Sequence, residues 1–204
     1  MKSKSMLPIV VLLVSCANIH FNDATEYFRY IDKPENGLKI SKSFTEIELT
    51  AKYLPPELKA LQELESEFEK ETFDSLVSYY SGSYNFLFSI APVKNSQVDD
   101  LNYYDIYSYD EYVERKKVLN YYLEECFILK SGKKEYYPVL FHFEQDYGVS
   151  GKLNFHLVFV PSEQIKTRKT EELKLTFNDP IYNTEQTEFI FKKRSLKNIP
   201  KLQL

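Results

Sequence analysis

The chain of 204 residues has no tryptophan, five glycines, three histidines and two cysteines. Each scarcity removes a class of chemistry. Two cysteines, at 16 and 126, cannot build a disulfide scaffold or a multi-cysteine zinc site. Five glycines leave little backbone able to approach a phosphate closely. The nearest phosphate-loop candidate, Ser131-Gly132-Lys133-Lys134, lacks the upstream glycine and the following Ser or Thr. In Gly148-Val149-Ser150-Gly151, Lys152 stands where a nucleophile elbow requires its last glycine. There is no His-Glu-x-x-His and no Cys-x-x-Cys. Carboxylates such as Glu124 and Glu125 are adjacent, so on a helix they point apart. These absences predict a non-enzymatic chain without a cofactor. A net charge of −4 with no basic stripe argues against nucleic acid as a partner.

Long apolar runs are also missing. The longest, Met6 to Val14, has nine residues, against the roughly 20 that a membrane-spanning helix needs. Preceded by Lys2 and Lys4, it has the make-up of an export signal. It ends at Leu13-Val14-Ser15-Cys16. These residues resemble the lipobox of bacterial lipoproteins, in which an aliphatic residue and a small residue precede the cysteine. The resemblance implies cleavage before Cys16, lipid on its thiol, and an extracytoplasmic domain tied to the cell envelope. Two or three acyl chains hold a protein stably where one holds it weakly. Ala17 after the cysteine suits the outer membrane if the cell has two. Ser15-Cys16-Ala17 is also a small-x-small site, and cleavage after Ala17 would leave no anchor.

Removal of residues 1–15 leaves 189 residues, enough for one domain that buries its own core. Residues 16–42 are expected to be the lipidated cysteine with a tether or lead-in, because they are polar and carry the turn Asp32-Lys-Pro-Glu-Asn-Gly37. The patch Tyr27–Ile31 has the apolar residues to dock onto the domain. The domain itself is expected over 43–204.

Period-2 alternation predicts strands at Thr45–Tyr53, Tyr84–Ile90, Phe127–Lys130, Glu135–Gln145, Lys152–Val160, Glu172–Phe177 and Thr187–Phe191. Leu58, Leu61, Leu64 and Phe68 recur at helical spacing behind Pro55-Pro56, and the pattern runs on towards Gly82. Ser108-Tyr-Asp-Glu111 reads as a capping box for a second helix to about Glu125, with Val113, Leu119, Tyr122, Leu123 and Cys126 inward. The expected fold is α+β: an antiparallel sheet of about five to seven strands, the last of them a C-terminal meander, with two amphipathic helices.

Two clusters carry candidate chemistry. Residues 99–112 hold five tyrosines and five acids. Tyrosine offers a flat apolar face with a polar tip, which suits a sugar or a protein surface, so Tyr103, Tyr104, Tyr107 and Tyr109 are the candidate contacts. The spacing lacks the glycine of an EF-hand loop. The second cluster depends on register. If 139–144 and 154–159 form a hairpin centred near residue 149, Phe141 faces Leu157, Phe143 faces Phe155 and Val139 faces Phe159. His142 then lies beside His156 and Glu144 beside Asn154, a candidate metal set on the opposite face. The same residues also fit a solvated face of alternating polar positions. Cys126, in an apolar setting, reads as a small buried hydrophobe.

The function expected from these features is that of a subunit or accessory factor of an envelope assembly, with envelope proteins as partners. A glycan- or solute-binding lipoprotein using the 99–112 loop is the alternative, and a small hydrolase or metal-dependent enzyme the third.

Overall fold

The computed structural model describes residues 20–64, 68–94, 96–98, 100–144, 151–161 and 172–203. The expected export segment, Cys16, Asp99 and most of the expected 146–151 turn lie outside them. The chain opens with a short strand β1 (His20–Phe21) and helix α1 (Ala24–Asp32), capped by Asp23, whose carboxylate accepts from Thr25 N–H at 2.7 Å. A 3-10 turn (Pro34–Asn36) leads to β2 (Lys39–Ser43) and β3 (Ile47–Leu54). Helices α2 (Pro56–Glu63) and α3 (Lys70–Tyr80) follow, then β4 (Tyr84–Pro92). A 3-10 turn (Leu101–Tyr103) precedes α4 (Tyr109–Lys117), which runs on through a π-turn (Val118–Tyr122) and a 3-10 turn (Leu123–Cys126). The rest is β5 (Phe127–Ser131), β6 (Lys134–Tyr136), β7 (Leu140–Glu144), β8 (Leu153–Phe159), β9 (Glu172–Asn178), β10 (Gln186–Lys192), α5 (Lys193–Lys197) and β11 (Lys201–Leu202).

The fold is α+β, with antiparallel sheets of five strands (β2-β3-β4-β8-β7) and four (β10-β9-β5-β6). The hairpins of the last third form as their alternation predicts, but they divide between the two sheets instead of continuing one meander. Pro138 sits at the switch. Proline has no N–H to extend the β6 ladder, so the chain leaves that sheet and re-pairs as β7 against β8.

The sheets meet through aromatic side chains. Phe88 on β4 lies 4.8 Å from Phe177, 4.9 Å from Phe127 and 5.7 Å from Phe189, measured between ring centres. Phe86 meets Phe191 at 5.2 Å. All six rings are fully buried. Edge and tilted contacts of this kind contribute about 0.5–1.5 kcal/mol each beyond area burial.

Residues 20–42 are part of this domain, which corrects their expected role as a tether. Tyr27 and Ile31 of α1 are fully buried, and β2 is an edge strand of the five-stranded sheet. Their polarity misleads because a nine-residue amphipathic helix needs only a narrow apolar stripe. Gly37 takes φ of 71°, and a Cβ there would approach Ser195 Oγ to 2.9 Å, so the turn requires glycine. β1 pairs in parallel with β11, which ties the first described residues to the last.

The expected helix from Leu58 towards Gly82 is two helices, α2 and α3, packed on each other. The capping box at Ser108 and Glu111 is present. Leu119 and Leu123 are buried as expected, whereas Tyr122 is exposed. The π-turn, of which Tyr122 is the last residue, widens the helix there and shifts its phase.

Candidate functional site

Two surfaces bring candidate side chains together. The first is the tyrosine-rich loop. Its backbone is held from below: Leu101 is buried, and its carbonyl accepts from the Tyr182 hydroxyl at 3.2 Å and from Arg115 Nη1 at 3.3 Å. Arg115 Nη2 also donates to the Tyr104 carbonyl at 3.0 Å, and the guanidinium lies 5.3 Å from the centre of the Tyr182 ring. Burial pushes the Tyr182 phenol well above its usual range, so it stays a donor. Asp179 shapes the turn that presents Tyr182, accepting from the N–H groups of Ile181, Tyr182 and Thr184.

On this base the tyrosines separate into two roles. Tyr103 stacks on Tyr112 at 5.1 Å with 10° between the planes, and both Tyr107 (86% exposed) and Tyr109 (78%) stand in solvent. Tyr104 instead turns towards the fold. Its hydroxyl donates to Glu46 at 3.1 Å and its ring meets Tyr182 at 5.8 Å. Of the four expected contact residues, Tyr103, Tyr107 and Tyr109 form the outer surface and Tyr104 braces it. Sequence reasoning missed Arg115, whose role depends on carbonyls 11 and 14 residues away.

The second surface lies on the outer side of the five-stranded sheet. The hairpin register is the expected one: His142 faces His156, Phe143 faces Phe155, Phe141 faces Leu157 and Glu144 faces Asn154. The imidazole ring centres are 6.2 Å apart, and His156 Nε2 lies 3.7 Å from Glu144. Val139 lies beyond the strand and is exposed, so it does not extend the apolar face. Among the described residues no group of three His, Cys, Asp or Glu side chains is arranged to hold a metal. His142, His156 and Glu144 are therefore neighbours without the convergence of a metal centre.

His142 and His156 border a cleft of about 870 Å³ between this sheet face and the α2–α3 pair. Lys59, Glu63, Tyr79 and Tyr80 line the helical side; Asn85, His142, His156 and Val158 line the sheet. Its size falls in the range of small-molecule sites, about 300–1,000 Å³. The Tyr80 hydroxyl donates to Glu63, and burial together with that bond pushes its pKa up to about 12. Lys59 Nζ sits 5.5 Å above the Tyr80 ring. His156 is held below the usual histidine pKa, first by burial and then by Lys59 and His142, with Glu144 opposing. Asn85 is buried and donates to Ser83 Oγ at 2.9 Å, while its Oδ1 has no partner among the described residues. The one signal in sequence was an asparagine interrupting the apolar run of β4.

Cys126 is half-buried; its thiol is pushed up by burial, Asp179 and Glu125, which disfavours the reactive thiolate.

No protein-family model matches the chain, and neither does any curated protein. It is similar in structure to a crystal structure of a protein of unknown function from Burkholderia pseudomallei, at 10% identity and a TM-score of 0.40, over 88% of this chain and 91% of that one.

Proposed function

We propose that this is a lipid-anchored, extracytoplasmic lipoprotein of the bacterial cell envelope that acts by binding, as a non-enzymatic subunit or accessory factor of an envelope assembly. The observation that carries the reading is the lipobox-like Leu13-Val14-Ser15-Cys16 behind a charged start and a nine-residue apolar run, and the distance from Cys16 to the fold adds a geometric consequence. His20 is already paired in β1, four positions after Cys16. Four residues reach at most about 14 Å when fully extended. A lipidated Cys16 therefore holds the β1–β11 end of the domain close to the bilayer surface. A groove there is lined by Phe68, Lys70 and Lys201. The braced tyrosine surface supplies the partner contact, since rigid exposed aromatics give contact area at low entropic cost. A folded domain kept this near a membrane is positioned to meet membrane-associated partners by effective concentration alone.

The first test is labelling with a radioactive fatty acid. The parent chain is expected to incorporate it, and Cys16→Ser to incorporate none; label retained by Cys16→Ser would overturn the anchor. The second places a photocrosslinker at position 107 in intact cells. A single reproducible envelope protein, lost in the Tyr103→Ser/Tyr107→Ser/Tyr109→Ser variant, is the expected result. The exposed rings favour one alternative, glycan stacking at the same loop. It predicts instead that isolated cell-wall glycan retains the parent chain and releases that variant.

A further inference from the structure

We infer that the cleft between α2–α3 and the outer face of the five-stranded sheet is a binding site for an amphiphile with an acyl chain and a carboxylate head. This site is separate from the tyrosine surface and is not needed for the function proposed above. The geometry divides the cleft by chemistry. Tyr79, Val139, Leu140 and Val160 line it and are all exposed large apolar side chains. Exposed apolar side chains gathered at one concavity mark a ligand site more often than the same residues scattered singly. Removing an acyl chain from water against them is favourable by about 0.8 kcal/mol per buried CH2.

The polar wall selects the head group. Lys59 is half-buried, and among the described residues no carboxylate makes an ion pair with its ammonium, which sits over the Tyr80 ring. Glu63, the acid of this wall, already accepts from the Tyr80 hydroxyl. His142 and His156 add ring nitrogens beside each other. Glu144 approaches His156 at 3.7 Å and does not line the cleft. A half-buried ammonium with no acid partner is completed by a carboxylate, which also makes shorter and stronger charge-assisted hydrogen bonds than a neutral oxygen. A volume of about 870 Å³ accommodates a chain and a head together. Glu63 keeps its charge while accepting from the Tyr80 hydroxyl, so the carboxylate head is drawn to Lys59 and not to the Glu63 side; a neutral head would make only the weaker hydrogen bond to Lys59.

The experiment uses the full-length chain in whole-cell lysate, so that lipidated and released forms are both retained. Two probes carry the same twelve-carbon chain with a diazirine, one ending in a carboxylate and one in an alcohol. After irradiation the labelled peptides are mapped. The acid is expected to label segments 79–86, 139–142 and 156–160 at least tenfold more than the alcohol. Lys59→Gln should lower acid labelling about tenfold and leave alcohol labelling unchanged. Leu140→Asp, at an exposed strand position that tolerates polarity, should lower both. Equal labelling by acid and alcohol, unchanged labelling of Lys59→Gln, or label confined to other segments would each overturn the inference. The readout is the position of the label, so it stands whether or not Cys16 carries lipid.

Discussion

The two faces of the five-stranded sheet come from the same strands and have opposite fates. On the inner face Phe86 and Phe88 are sealed ring against ring on the four-stranded sheet, and Phe155 and Phe159 are fully buried beside them. On the outer face, Asn85, His156 and Val158, intervening residues of those strands, line a cleft of about 870 Å³ that opens beside the α2–α3 pair. A sheet packed on a second sheet closes by interdigitation along every strand. A short helix pair cannot cover five strands, so part of the outer face stays open. The closed face therefore supplies stability, and the open one supplies polar groups with unmet partners and room for a ligand.

The sharpest way to break this contrast is at its centre. Phe88→Ala removes a ring that touches three facing phenylalanines and should cost about 3–5 kcal/mol in urea denaturation. A loss below about 1 kcal/mol would mean that the sheets are not locked there.

Arg115→Ala should come next, at about 1.5–3 kcal/mol, because it strips charged hydrogen bonds from two loop carbonyls. Its signature is selective: hydrogen exchange over residues 101–107 should accelerate more than exchange in β4. Uniform acceleration would show that Arg115 supports the whole domain and not the tyrosine surface.

On the outer face, Asn85→Leu should shift stability by less than about 1 kcal/mol in either direction. It loses the bond to Ser83 but also removes a buried, unpartnered oxygen. A large loss would place a partner on Oδ1.

The smallest expected effect is a pH slope. His156 is held neutral in the fold, so below about pH 6.5 the unfolded chain binds the proton more readily and stability falls as pH drops. His142, Glu144 and Lys59 face it and shape the slope. His156→Asn should flatten the stability profile between pH 7 and 5, where an unchanged slope would assign the effect to other groups.

Local sequence determined much of this molecule. Alternation in 140–144 and 153–159 sets which residues of β7 and β8 share a face, because a slip by one would turn every phenylalanine outward, and a turn centred near residue 149 then gives the observed register. Ser108 and Glu111 define the start of α4, since their bonds close within four residues. The anchor reading likewise rests on contiguous residues. What tertiary structure alone decided depends on partners distant in the chain. Period-2 patterning says which face of a strand is buried and nothing about which sheet it joins, so the division of the hairpins followed from packing. Tyr104 and Tyr107 are three residues apart with the same chemistry, yet Glu46 and Tyr182 draw one inward and leave the other outside. Lys59 and His156, almost a hundred positions apart, become neighbours only when α2 lies over β8, because the cleft is a shape made by two elements and belongs to neither.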